Sequence, residues 1–81
     1  MIVGVSLAQA GPVNINTADA KTIAKELDNV GIKKAEAIVA YRDEHGRFKN
    51  AVELTNVSGI GRRTFEANLD NIKVRDRNDE E

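Results

Sequence analysis

Shifted by thirty residues, the chain overlays itself: Val30-Gly31-Ile32-Lys33-Lys34-Ala35-Glu36-Ala37 falls on Ile60-Gly61-Arg62-Arg63-Thr64-Phe65-Glu66-Ala67. Gly, Glu and Ala recur in register, with an aliphatic residue before the glycine and a base two residues after it. A period this short holds two helices and one turn, and such a unit cannot bury its apolar face alone. It needs its twin. The repeat therefore predicts one domain made of two stacked helix–turn–helix units.

The pattern around the repeat fills in those helices. Residues 14–74 carry helical spacing and almost no strand alternation. Asp19 is placed to cap a first helix from Ala20 to about Asp28, with Ile23 and Leu27 one turn apart on its buried face. A second helix is expected from Ile32 to about Glu44, ended by Gly46 at positive φ. Asn50 and Glu53 have the spacing of a capping box, which would open a third helix reaching about Thr55. A fourth is expected from Arg62 to about Leu69, with Ile72 and Val74 folding back onto the core. Tyr41 and Phe48 belong at the interface between the repeats. Asn14 and Asn16 are placed to tie down the leading segment. The predicted fold is all-α, with four to five short helices in one compact domain.

Composition closes several functional doors. The 81 residues contain no cysteine and one histidine, so a disulfide framework and a multi-histidine or cysteine-ligated metal site are excluded. Tyr41, Phe48 and Phe65 are too few to stack single-stranded bases. The acids Asp43 and Glu44 have no nucleophile or metal partner nearby in sequence and read as solvated. His45 suits the negative end of the second helix. No catalytic set, metal site or cofactor site is expected. Twelve basic and thirteen acidic residues give a net charge of −1, so any electrostatic function must come from local placement.

That placement is unusual after each repeated glycine. Lys33 and Lys34 follow Gly31, and Arg62 and Arg63 follow Gly61. All four fall in the first turn of a helix, where free N–H groups and the macrodipole already carry positive potential. A cation there is mildly unfavourable unless an anion completes the site. A phosphate held by backbone N–H groups and flanked by bases would do so. Glycine is expected because a side chain would restrict the turn and keep a phosphate from the backbone. The other reading of each copy is a plain αα-hairpin with surface bases; two copies in matched positions favour phosphate.

These hairpins resemble tandem helix-hairpin-helix domains, in which a hydrophobic-Gly-hydrophobic-Gly turn is followed by a basic or polar residue. Val57-Ser58-Gly59-Ile60-Gly61-Arg62-Arg63 keeps both glycines, whereas the first copy has Asn29 at the leading position, a residue that tolerates left-handed backbone. Val13-Asn14-Ile15-Asn16-Thr17-Ala18, Tyr41-Arg42 and Gly46-Arg47-Phe48 extend the similarity to the ComEA family of competence proteins, over about Val13 to Val74. The resemblance implies a receptor for double-stranded DNA outside the cytoplasmic membrane. It would give main-chain N–H groups to phosphates across a minor groove without reading bases, alongside DNA-uptake machinery proteins as further partners. The contacts implied are Gly31, Ile32, Lys33 and Lys34 in the first hairpin and Gly59, Gly61, Arg62 and Arg63 in the second, with Arg47 and Lys49 extending the patch. Replacing the four first-turn bases by Ala is expected to abolish most binding and leave helicity intact. The alternative the same fold implies is a scaffold for protein contacts without DNA, as in an extrinsic subunit of photosystem II. Nucleases and glycosylases also carry the motif as an accessory, but their catalytic residues have no counterpart in this sequence.

The two ends read as additions to residues 13–74. Residues 1–10 end in Ala8-Gln9-Ala10, the small-x-small pattern of a secretory cleavage site, and are expected to be the remnant of a signal peptide or an apolar arm. Residues 75–81 hold two basic and four acidic groups and no apolar one, the composition of a flexible acidic tail. The chain contains no run of the ~20 apolar residues that a membrane span needs.

Overall fold

A computed structural model describes residues 12–75. The expectations for residues 1–10 and for all but the first residue of the acidic tail lie outside that range. The order is β1 (Val13–Asn14), α1 (Ala20–Glu26), α2 (Ile32–His45), a 3₁₀ helix (Ala51–Asn56), α3 (Arg62–Ala67), a 3₁₀ turn (Leu69–Asn71) and β2 (Ile72–Lys73). The fold is all-α apart from the two short strands.

Asp19 starts α1 as its position in the sequence suggests, accepting from the Thr22 backbone N–H at 2.8 Å. The helix stops at Glu26, two residues before the expected Asp28. The reason is long-range: the Asp28 N–H donates to Asn68 Oδ1 at 2.8 Å instead of to the preceding turn of its own helix. Asn29 then takes a left-handed φ of 62°. The longest helix, α2, runs from Ile32 and ends on Gly46 at φ 91°, whose N–H returns to the Arg42 carbonyl.

Two further expectations need correction. The Asn50–Glu53 capping box does not form: the Asn50 side chain caps nothing, and Glu53 Oε1 accepts from the Lys49 N–H at 3.0 Å, one residue further back. The segment it opens is a 3₁₀ helix rather than an α-helix. The last α-helix ends at Ala67 and not at Leu69, because Asn68 Nδ2 occupies the Thr64 carbonyl that the next turn would have used. The Asn68 N–H bonds instead to Phe65 O at 3.1 Å, tightening the chain into 3₁₀ geometry.

The core follows the repeat. Leu27 and Val30 are buried before the first glycine, as are Val57 and Ile60 before the second. Ile15, Ile23, Ala35, Ile38, Phe48 and Leu54 join them in one cluster, with Ile72 and Val74 packed at its edge. Phe48 lies between the repeats and stacks on Tyr41 at a centroid distance of 5.3 Å. The strands, which periodicity did not suggest, pair in parallel with Val13 opposite Ile72 and Asn14 opposite Lys73. Asn16 ties the same two ends together: its Nδ2 donates to Phe48 O and Val74 O, and its Oδ1 accepts from the Phe48 N–H.

Candidate nucleic-acid interface

Each hairpin is built by two buried aliphatics that anchor an exposed tip. In the second, the Ile60 N–H donates to the Val57 carbonyl at 3.0 Å, and Gly59 turns the chain at φ 94°. Asn29 occupies the equivalent position of the first hairpin at φ 62°, so the turn survives the replacement of glycine in the way the asparagine side chain permits.

Gly31 and Gly61 are the N-caps of α2 and α3, both in extended backbone and both without a side-chain cap. They also accept the first helical hydrogen bond, from Ala35 N–H and Phe65 N–H. The first-turn N–H groups have no partner within their own helix, and no acidic residue stands in either first turn. The start of α1, which lies away from the hairpin tips, is capped by an aspartate. Of the three α-helices, the two whose starts lack a side-chain cap are those that follow the hairpin glycines.

The expected contact residues emerge at the surface. Gly31, Ile32, Lys33, Gly59, Gly61, Arg62 and Arg63 are exposed, and Lys34 is half-buried. Gly31 has φ −73° and Gly61 φ −93°, ordinary values for any residue, and a Cβ on either would meet nothing within 4 Å. The fold does not require glycine at these caps; of the three hairpin glycines, Gly59 alone sits at a φ that does. The open space beside Gly31 and Gly61 faces outward.

Charge is distributed unevenly among the bases. Arg62 Nε lies 3.5 Å from Glu66 Oε2, an exposed pair one turn apart that contributes little. Among the described residues, the side chains of Lys33, Lys34 and Arg63 have no ion-pair or hydrogen-bond partner. The Lys34 stem crosses to the other unit and lies over Gly59, its Cγ 3.6 Å from where a Cβ there would stand. The two hairpins are thus neighbours. Arg47 and Lys49 follow α2, but the Arg47 guanidinium is engaged, donating to Val74 O at 2.9 Å. Arg42 is structural, donating through Nη1 to Ile15 O and Ala18 O.

Sequence reasoning missed Asn68. It is 1% exposed, and its carboxamide bonds both backbone groups of Asp28 in the first hairpin. Its place after Ala67 at the end of a polar helix carries no local signal of burial. Among the described residues no group of three or more His, Cys, Asp or Glu is placed to hold a metal, and no helix is long and apolar enough to cross a membrane.

Two helical hairpins, repeat-related and joined through one core, define a tandem helix-hairpin-helix domain. The sequence model of the helix-hairpin-helix motif family matches residues 8–73, and the chain belongs to that family, as a domain of the ComEA-like kind. It is similar to an uncharacterised protein of Haemophilus influenzae, 57% identical over 60 residues, 74% of this chain and 54% of the relative. It is also similar to ComE operon protein 1 of Bacillus subtilis, 48% identical over 63 residues, 78% of this chain and 30% of that protein. A third relative, transcriptional accessory protein Tex of Neisseria gonorrhoeae, is 41% identical over 54 residues, 67% of this chain and 7% of its own length. The chain thus spans about half of the first relative and less than a third of the second.

Proposed function

We propose that this chain is a non-enzymatic module that binds double-stranded DNA through its phosphate backbone, without sequence preference. The observation that carries the reading is the pair of neighbouring helix starts, each capped by an exposed glycine and left with free first-turn amides beside two bases. Backbone N–H groups suit phosphate oxygens, and Lys33, Lys34, Arg62 and Arg63 supply the countercharge. The space beside Gly31 and Gly61 lets a phosphate approach main-chain atoms, a use for glycine that the fold itself does not supply. Similarity to ComE operon protein 1 supports a role in competence, as a DNA receptor on the outer side of the cytoplasmic membrane working with uptake machinery.

The test is a titration of labelled duplexes of unrelated sequence at several salt concentrations. With about four to six phosphates neutralised, log K against log salt should fall with a slope of roughly −4 to −5, alike for every sequence. A variant lacking the four charges should lose most of this binding and keep its helicity. Because the Lys34 stem covers Gly59, the variant that isolates charge is K33A/K34M/R62A/R63A, which keeps an unbranched apolar side chain at position 34. If it binds with the wild-type slope, the assignment of these residues is wrong. If the wild type shows no salt-dependent retention on duplex DNA, the scaffold reading takes its place.

A further inference from the structure

The two hairpins differ at their leading position, where Asn29 stands at φ 62° and Gly59 at φ 94°. Left-handed backbone is strained for a residue with a Cβ and persists where its surroundings hold it. In the first hairpin the holding group comes from the other repeat. Asn68 Oδ1 accepts from the Asp28 N–H at 2.8 Å, and Asn68 Nδ2 donates to the Asp28 carbonyl at 2.9 Å. The second Nδ2 hydrogen goes to the Thr64 carbonyl at 2.9 Å, so both hydrogens and the oxygen of the buried carboxamide are engaged.

These bonds fix the peptide planes on both sides of Asp28. The second of those planes carries the Asn29 N–H, so with Val30 anchored in the core its orientation restricts the φ at which Asn29 can turn. Lys34 makes the return contact, laying its stem over Gly59. Each hairpin is therefore touched by a side chain from the opposite repeat.

We propose that Asn68 is the positioning residue of the first hairpin: acting from the second repeat, it holds the Asp28–Asn29 turn in the left-handed form that presents the α2 first-turn amides, so that a duplex engages both hairpins together. The functional half rests on the DNA-binding reading above. The structural half does not.

The test compares N68L with wild type, and N29G/N68L with N29G. Leucine keeps the branching of the side chain at somewhat larger volume and removes all three bonds; glycine at position 29 removes the strain they oppose. N68L, at a temperature where circular dichroism shows it fully folded, should bind duplex DNA about fivefold more weakly or worse, a coupling of the size neighbouring residues show. Its salt slope should be shallower by about two, as one hairpin disengages. In the N29G background the same substitution should change affinity by less than about twofold. The amide resonances of Asn29, Val30 and Gly31 should follow the same pattern without DNA, moving strongly in N68L and little between N29G and N29G/N68L. Equal losses in both backgrounds, or wild-type affinity and slope in N68L, overturn the proposal, since an ordinary packing role would not distinguish the backgrounds. If N68L does not fold, N29G/N68L must; failure of both overturns the proposal as well. A wild type that ignores DNA defeats the binding reading alone, while the amide comparison still decides whether Asn68 holds the turn.

Discussion

Gly59 and Gly61 stand two residues apart and answer to different constraints. At Gly59 the backbone itself demands glycine, with φ 94° and the Lys34 stem alongside. Gly59→Ala should cost about 1–2 kcal/mol, the ordinary penalty for a Cβ in left-handed backbone, and lower Tm by roughly 5–15 °C in a domain of this size. At Gly61 the backbone is that of any N-cap, φ −93° and ψ 178°, with open space where a side chain would stand. Serine is a better cap than glycine because its hydroxyl accepts from a first-turn N–H. Gly61→Ser, and likewise Gly31→Ser, should raise Tm slightly by satisfying those amides. Each should also weaken duplex binding, because the hydroxyl then competes with phosphate. Thermal unfolding and duplex titration of the same protein check both signs; a serine variant that is more stable and binds equally well contradicts phosphate capture at that amide group. The repeat made these positions visible in the sequence, including the match of Asn29 with Gly59. It did not separate the glycine that the fold needs from the glycine that only a ligand explains, because that distinction lies in φ and in empty space.

Helix starts were legible in the sequence and helix ends much less so. A start depends on one local residue: Asp19 for α1, Gly31 for α2, Gly61 for α3. The ends of α1 and α3 depend on Asn68, which bonds a residue forty positions away and a carbonyl in its own last turn. No spacing rule reaches that far. The Asn50–Glu53 box failed for a related reason, since Glu53 found the Lys49 N–H, one residue beyond the expected partner. The cap on α1 gives a pH dependence with a definite sign. The Asp19 carboxyl is held below its ordinary range, first by the Thr22 backbone N–H, then by the Thr22 side chain and Lys21, against a small opposing effect of burial. A lowered folded-state value means the cap stabilises the protein above the ordinary aspartate range and loses that contribution as pH falls through the lowered value. Asp19→Asn keeps a capping oxygen that does not titrate. The Tm advantage of wild type over D19N should therefore be constant near neutrality and shrink as pH falls below the ordinary aspartate range; a gap independent of pH in that range contradicts the capping role.

At the scale of the whole molecule, closure of the two ends of the domain is what local pattern could not show. Two-residue strands are too short to alternate, and the bonds that join them to the core run between residues as far apart as Asn16 and Val74. Asn16 is the hub. Its carboxamide satisfies both backbone groups of Phe48, the fully buried residue between the repeats, and it shares the Val74 carbonyl with Arg47. Asn16→Ala leaves the Phe48 N–H and carbonyl without these partners beside the core, a cost of about 2–3 kcal/mol for the pair. The expected fall in Tm is roughly 10–20 °C. Arg47→Ala removes a single exposed bond to a carbonyl that Asn16 still holds, and should lower Tm by much less. Thermal unfolding of the two variants side by side distinguishes a hub from one of several equivalent ties. Similar shifts in both would mean that the ends are held by the parallel pairing of Val13–Asn14 with Ile72–Lys73, and that the asparagine merely accompanies it.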